Sequence, residues 1–291
     1  MPDHGRDPPI ERHYVAKRSR RQPGILVFLA QDAEAHAFCY SHADLRKGEA
    51  AQAVFGFLEF CKRAHGSWPA HLVFDSRLTT YAGLARLDAL GITFITLRRR
   101  SPSILAEIDA LPASAWRRTT LHVPTRKYRH PRVWDTPGRL RLPPALRARP
   151  RRRQAHRAAH QRPAQPRPEL LTRYAQRRRI ENAISDAVRF FHMDALSAAV
   201  GLKVDFDMAL LVIASGLYRR LAQHLRGEAD SQARQIFRDL VDMPADIEIT
   251  ERQVLVRFHR RAHLPILIAS GLLDQPVEVP WWNGAKLRLS A

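Results

Sequence analysis

The sequence contains few cysteines and no long apolar run. Its two cysteines, Cys39 and Cys61, lie in apolar surroundings, and neither has a partner at CxxC spacing. This argues against a disulfide framework and against a zinc site, so structural burial is the better interpretation of both. The longest apolar stretch, at 209–218, is too short to cross a bilayer, and residues 1–14 lack the apolar core of a signal peptide. We therefore expect a cytoplasmic protein with no membrane partner.

Acidic residues are also scarce. Asp and Glu number 28 against 48 Lys and Arg in a chain of 291 residues, which gives a net charge of +20. A charge of this size favours a polyanionic partner. Nucleic acid is favoured over a membrane surface, because the basic residues are not gathered into one amphipathic helix. A ribosome-associated or merely basic protein is the alternative that charge alone does not exclude.

Apolar periodicity predicts an α/β sheet in the first hundred residues and mainly helices later. The elements predicted first are a hairpin at 25–42, a helix at 48–65, a strand at 71–74, a helix at 81–90 and a strand at 92–97. Helical periodicity resumes at Leu170 and runs to about 225, with a break expected at 200–205. The elements predicted after that are a helix at 230–241, two strands in 249–261 and 277–282, and a helix at 263–273 between them.

Residues 136–168 differ in composition from the rest of the chain. They contain ten arginines and many Pro, Ala, His and Gln, but no acidic residue. Such a composition is typical of GC-rich coding DNA translated out of frame. Shifting one permitted choice of codons for 153–163 by one base gives DKPTVLLTNG, which is a strand-and-turn sequence. We favour an out-of-frame or disordered segment, and a basic DNA-binding linker is the alternative.

Two features carry candidate chemistry. Asp75 follows a short buried strand, where open α/β sheets present catalytic and ligand-binding groups, although an Asp there can simply cap a turn. In RYAQRRRIENAI (173–184), Tyr174, Arg177, Arg178 and Glu181 share one face of a predicted helix. A carboxylate beside guanidiniums and a phenol can bind metal while its neighbours hold phosphate oxygens. A solvated charged face is the plainer interpretation.

Longer phrases around these residues resemble a known family. FDSRLTTYAGLARLDALGITFITLRRR (74–100) and RYAQRRRIENAISDAVRFFHMDALS (173–197) are similar to the DDE (Asp-Asp-Glu) transposases of bacterial insertion sequences. The resemblance covers nearly the whole chain apart from 136–168. It implies a ribonuclease-H-like mixed sheet with flanking helices, followed by a mainly helical C-terminal part. It also implies three carboxylates that hold two magnesium (or manganese) ions for DNA cleavage and strand transfer.

By position, the resemblance makes Asp75 the second of these acids and Glu181 the third, and both are therefore expected metal ligands. Tyr174 and Arg177 match the Tyr and Arg of the family's Tyr-Arg-Glu-Lys signature, so they are expected in the catalytic site. The Lys of that signature falls on Val188, which is a departure from the family pattern.

Several arginines are expected to contact DNA phosphates. Arg178 lies on the signature helix, and Arg189 is the only residue beside Val188 that could substitute for the missing Lys. Three more follow the strand at 92–97, where phosphate contacts and a solvated charge run are equally good interpretations: Arg98, Arg99 and Arg100. The implied partner is double-stranded DNA, at transposon ends and target, with a homodimer on DNA as a further implication.

The family's first acid has no clear counterpart. In the family it ends the first core strand, in a phrase resembling DFHxIPxHG, and MPDHG at residues 1–5 matches only the tail of that phrase. Asp3 and Asp7 follow no predicted strand, and Asp32 lies in the predicted hairpin turn. The expectation is a truncated transposase without its first core strand, which is inactive as written. A non-catalytic basic DNA-binding protein is the alternative.

The domain boundaries follow from these assignments. The predicted segments are a basic N-terminal remnant at 1–23, the first part of the core at 24–100, an insertion at 101–168, and the catalytic helix with the C-terminal part of the core at 169–291.

Overall fold

The structure is a computed structural model that describes residues 10–15, 19–78, 80–97, 102–121, 123, 132–136, 139–141, 155–156, 158–159, 167–195, 198–273 and 275–291. These residues form two compact units. The N-terminal unit comprises the described residues of 10–28 and 44–181, and the C-terminal unit those of 29–43 and 182–291.

The described residues form fifteen strands and eight α-helices. The strands are β1 (Glu11–Val15), β2 (Arg20–Gly24), β3 (Leu26–Gln31), β4 (Phe38–Leu45), β5 (His71–Val73), β6 (Thr93–Leu97), β7 (Arg117–Thr120), β8 (Arg132–Thr136), β9 (Arg139–Arg141), β10 (Ala155–His156), β11 (Ala158–Ala159), β12 (Ala245–Ile249), β13 (Gln253–Phe258), β14 (Val277–Val279) and β15 (Ala285–Ser290). The helices are α1 (Ala50–His65), α2 (Tyr81–Ala89), α3 (Pro102–Asp109), α4 (Arg167–Gln176), α5 (Arg178–Arg189), α6 (Gly201–His224), α7 (Ala233–Ile236) and α8 (Leu264–Ala269).

The helices and strands predicted between residues 48 and 97 are confirmed. Helix α1 ends at Gly66, which adopts φ 72°, and its N–H bonds to the carbonyl of Lys62 at 3.0 Å. Helix α2 begins after Thr80, whose hydroxyl accepts a hydrogen bond from the N–H of Gly83 at 3.2 Å. Strands β5 and β6 pair in parallel. The chain therefore passes from β5 through α2 to β6 as a strand–helix–strand unit.

One apolar cluster holds this strand–helix–strand unit together. Leu58 of α1 and Leu87 of α2 are almost wholly buried, and they share the cluster with Phe74, Ile92 and Phe94. All five residues lie within helices or strands that the apolar pattern of the sequence predicts. Because Phe74 directly precedes Asp75, the packing of this cluster fixes where that carboxylate leaves the sheet.

The predicted hairpin at 25–42 is also confirmed. Strands β3 and β4 pair with each other in a two-stranded sheet, and β4 continues to Leu45. In the turn, Oδ1 of Asp32 accepts hydrogen bonds from the N–H groups of Glu34 at 2.9 Å and Ala35 at 2.6 Å. Asp32 is therefore a turn-capping residue, as its position in the sequence indicates.

Part of the compositionally unusual segment 136–168 forms backbone pairs. Strand β9 pairs antiparallel with β8 and β10, and β11 pairs antiparallel with β6 through Ala158 opposite Leu97. The sequence predicts no packed structure here, because apolar periodicity is absent. Backbone hydrogen bonds do not depend on that periodicity, so these short strands are a difference from the expectation.

In the C-terminal unit the predicted break in the helices is misplaced. The expectation puts it at 200–205, whereas α5 ends at Arg189 and α6 begins at Gly201. Helix α6 is apolar on both sides: Val204 and Met208 are buried, while Leu202 and Phe206 are 80% and 62% exposed. Because apolar residues lie on both the buried and the exposed side of this helix, apolar periodicity does not mark where it begins.

The C-terminal sheet contains four strands in the order β12-β13-β15-β14. Strands β13 and β14 and helix α8 were predicted, whereas β12 and β15 were not. Residues 245–249 are partly or wholly exposed and include acidic residues, so they lack the apolar pattern of a buried strand. The predicted helix at 230–241 is α7, which continues as one turn of π-helix at Phe237–Val241.

The fold class is therefore mixed α/β, built from several small sheets. The hairpin β3–β4 and the pair β5–β6 belong to separate sheets among the described residues. Within the same residues, no helix combines the length and the apolar character needed to cross a bilayer.

Candidate functional site

Asp75 leaves the N-terminal unit's sheet two residues beyond the end of β5. Its Oδ1 accepts a hydrogen bond from the N–H of Arg77 at 3.0 Å, and its carbonyl accepts one from Leu78 at 3.0 Å. Asp75 therefore caps the short 3-10 turn Ser76–Leu78, which was the plainer of the two interpretations. The other carboxylate oxygen, Oδ2, takes no part in the cap and faces the residues of the second motif.

The second motif spans two helices rather than one. The sequence predicts a continuous helix at 173–184, but α4 ends at Gln176 and α5 begins at Arg178. Across this junction the N–H of Arg177 bonds to the carbonyl of Tyr174 at 3.1 Å. The N–H of Ile180 bonds in turn to the carbonyl of Arg177 at 3.2 Å. Both bonds span three residues, as in a 3-10 turn, so the chain is more tightly wound at Arg177.

Arg177 joins the two predicted acids. Its Nη2 lies 2.8 Å from Oε1 of Glu181, one helical turn further along the chain. Its Nη1 lies 3.5 Å from Oδ2 of Asp75. Both carboxylates therefore contact the same guanidinium group. That they lie within one metal-bridging span of each other stays a prediction. Their role as metal ligands stays a prediction.

The site is half open to solvent. The side chains of Asp75 and Glu181 are 42% and 53% exposed, whereas that of Arg177 is 25% exposed. Exposed ion pairs contribute little to stability, about 1 kcal/mol or less. The arrangement is therefore accessible to a ligand and is a minor contributor to the free energy of folding.

Tyr174 lies beneath this cluster. The ring centroid of Tyr174 is 5.6 Å from Cζ of Arg177, within the range of a cation–π contact. Its hydroxyl is buried beside the guanidinium group of Arg177, which donates towards the phenol oxygen without forming a hydrogen bond of good geometry. Burial raises the pKa of the phenol, and the nearby positive charge of Arg177 only partly offsets that effect. The hydroxyl is thus neutral at physiological pH and is available as a donor.

Replacing Tyr174 with phenylalanine should raise the free energy of unfolding by about 1 kcal/mol, because it removes a buried hydroxyl that lacks a hydrogen bond of good geometry. The gain should grow above pH 10. The raised folded-state pKa contributes stability that is present below the unfolded value of about 10 and is lost as pH rises through the folded value. Urea denaturation of both proteins at pH 7 and pH 10.5 measures this. A variant less stable than the parent at pH 7 would contradict the prediction.

Carboxylate oxygens are the ligands that magnesium prefers, and Mg²⁺ is commonly held by one or two carboxylates together with water and substrate phosphates. Asp75 and Glu181 fit such a site in donor chemistry and in exposure. No group of three or more His, Cys, Asp or Glu is placed to hold a metal ion anywhere in the described ranges. A cation at this site would meet a guanidinium group that already contacts both acids.

The structure describes two of the five arginines that were predicted to contact DNA. Arg178 and Arg189 are exposed on α5, and Val188 between the two is half-buried. The remaining three, Arg98 to Arg100, lie outside the described residues. The role of all five in DNA binding stays a prediction.

One polar residue near the site was not anticipated. Thr96 on β6 is 2% exposed, and its hydroxyl has no partner among the residues that the structure describes. Helix α4, which carries Tyr174, packs against the same strand. A threonine within an apolar strand is ordinary, so no sequence signal could have singled it out.

The candidate site therefore depends on geometry and on the sequence resemblance. Comparison of the chain with protein-family models and with curated protein sequences finds no match. What the site offers is a pair of exposed carboxylates, an arginine between them and a buried phenol below. Such a group can bind a divalent cation through the carboxylates and a phosphate through the guanidinium.

Proposed function

We propose that this chain is a transposase-type, ribonuclease-H-like core that binds double-stranded DNA and one divalent cation. The observation that carries the proposal is the convergence of Asp75 and Glu181. These acids lie far apart in sequence, yet both contact Arg177 beyond the end of a parallel strand.

The chemistry of such a core is phosphoryl transfer, in which positioning and charge do most of the work. Bound magnesium would supply charge stabilisation at the scissile phosphate and would activate the attacking oxygen. Asp75 and Glu181 are the residues that would hold it. Arg177 would orient a phosphate through its planar fork of N–H donors, and the hydroxyl of Tyr174 would donate from below.

A parallel strand pair joined by a helix, with a candidate acid just beyond the first strand, supports the ribonuclease-H-like interpretation. The high positive charge and the exposed Arg178 and Arg189 on α5 support DNA as the partner.

We further propose that the chain as written does not cut DNA. Two-metal catalysis needs ligands for both ions, and the described residues offer two converging acids with an arginine between them. The same observation favours the second candidate, a non-catalytic DNA-binding protein that uses the same basic surface. Homodimer formation on DNA stays a prediction.

Cation binding separates the transposase-type site from a charged surface without a site. Electron paramagnetic resonance titration with Mn²⁺ should find one bound ion per chain, and affinity should fall at least tenfold in Asp75→Asn and in Glu181→Gln. Glu59→Gln is the matched control, because it removes the same charge from an exposed position on α1. Equal affinity in all four proteins would refute the proposed site.

Cleavage is the second measurement. With magnesium or manganese and DNA that carries the element's ends, the unmodified chain should cut no more than Glu181→Gln does. Cleavage that disappears in Glu181→Gln would show that another residue supplies the missing acid. Asp32 would then be the first to test, although it caps the hairpin turn.

A further inference from the structure

We propose that Arg177 competes with the divalent cation for Asp75 and Glu181, and that cation binding transfers its guanidinium group to a DNA phosphate. This inference rests on the proposed function, because it concerns the same two carboxylates. A residue that only held the acids in place would strengthen cation binding, whereas Arg177 weakens it.

The carboxylate oxygens that face the site are the ones that Arg177 contacts. Oδ1 of Asp75 is occupied by the N–H of Arg77 in the turn, which leaves Oδ2 as the oxygen that faces the site. That oxygen and Oε1 of Glu181 are the two that Arg177 contacts. A cation that bridges Oδ2 of Asp75 and Oε1 of Glu181 at about 2.0–2.1 Å would take the place of the guanidinium group.

Charge leads to the same conclusion. Two carboxylates and one guanidinium leave the cluster with a net charge of −1, whereas without Arg177 it would carry −2. A divalent ion near a guanidinium group is repelled, and this repulsion is large at the short distances of this cluster. The arginine therefore lowers cation affinity for as long as it stays between the acids.

The position of Arg177 would allow its side chain to move away from the acids. Arg177 lies between α4 and α5 and belongs to neither helix, and its side chain is 25% exposed. The ring of Tyr174 lies beneath its guanidinium group and can support it during a small rotation. Once released, the planar group matches the geometry of a phosphate better than that of a single carboxylate oxygen. Cation binding and DNA binding should therefore strengthen one another.

The test is Mn²⁺ titration of the full chain without DNA, followed by electron paramagnetic resonance. Arg177→Gln should bind Mn²⁺ about tenfold more tightly than the parent chain, because a repelling charge is removed. Arg63→Gln is the matched control: it removes the same charge from an exposed position on α1 and should change affinity by about twofold or less. The Mn²⁺ affinity of Arg177→Lys should lie between those of the parent and Arg177→Gln, because lysine keeps the charge but cannot contact two acids through a planar fork.

The outcomes distinguish this inference from the proposed function. If Arg177→Gln binds Mn²⁺ with the same affinity as the parent, or with a lower one, the competition is refuted but the cation site stands. Binding by neither protein would overturn both. If Arg177→Gln does not fold, as judged by circular dichroism, Arg177→Lys decides, since affinity at or below the parent value refutes competition. A second readout is DNA affinity, which Mn²⁺ should raise in the parent and leave unchanged in Arg177→Gln.

Discussion

Raising the salt concentration from about 50 to about 200 mM should weaken binding of duplex DNA by this protein about a thousandfold or more. The net charge of +20 over 291 residues is the reason. Each phosphate contact releases a condensed counterion, so a protein that makes roughly six or more contacts loses affinity steeply as salt rises. The effect should be nearly independent of DNA sequence, because contacts to phosphates position the duplex without identifying its bases.

Fluorescence anisotropy with two duplexes of unrelated sequence, at four or more potassium chloride concentrations, measures this slope. The double variant Arg178→Gln, Arg189→Gln should lower the slope by about two if both side chains contact phosphates. A slope that the double variant leaves unchanged would remove these two residues from the interface. An affinity that salt does not change would count against a nucleic-acid partner altogether.

Leu87→Ala should lower the free energy of unfolding of the N-terminal unit by about 3 kcal/mol or more. Leu87 is wholly buried where α2 meets the cluster that contains Leu58 and Phe74. Truncation leaves a cavity that close-packed neighbours fill only in part, so the loss exceeds the transfer free energy of the removed methyl groups.

Guanidinium chloride denaturation of the parent and the variant gives this difference. Leu202→Ala is the control: it makes the same change on α6 at a side chain that is 80% exposed, and it should alter stability by about 0.5 kcal/mol or less. Leu87→Ala should also weaken Mn²⁺ binding, since Phe74 of the same cluster directly precedes Asp75. A loss in stability below about 1 kcal/mol would show that the cluster is not the core of this unit.

The helices and strands between residues 48 and 97 could be predicted because each has a clear apolar pattern and a residue that ends it. Helix α1 repeats apolar residues at helical spacing and ends at Gly66, the one residue type that adopts φ 72° without strain. Asp75 follows a short apolar strand and caps the turn after it. Helix α6 lacks such a contrast, since its packed and exposed sides are equally apolar. Its sequence therefore does not show which side lies in the core.

The site was predicted less completely than the fold around it. The pairing of Asp75 with Glu181 followed from the resemblance, because periodicity within one element contains no information about which distant residue it meets. The bridge through Arg177 and the buried hydroxyl of Tyr174 depend on side-chain rotamers at a junction between two helices. A continuous helix had been expected there, so the sequence did not indicate either feature.

The parallel register of β5 and β6 has a consequence for how the length of the chain can vary. Val73 lies opposite Ile95, and Phe74 beyond it points into the apolar cluster while Asp75 turns towards Arg177. Deleting one residue here would move the carboxylate to the place of the phenylalanine ring, where an unpaired charge is strongly unfavourable. The loop before β5 is itself held at Gly66, which caps α1, at Trp68, which packs against the same cluster, and at Ala70, whose carbonyl accepts a hydrogen bond from the N–H of Thr93. Insertions and deletions should therefore be excluded from the exit of this strand and be restricted at its entry.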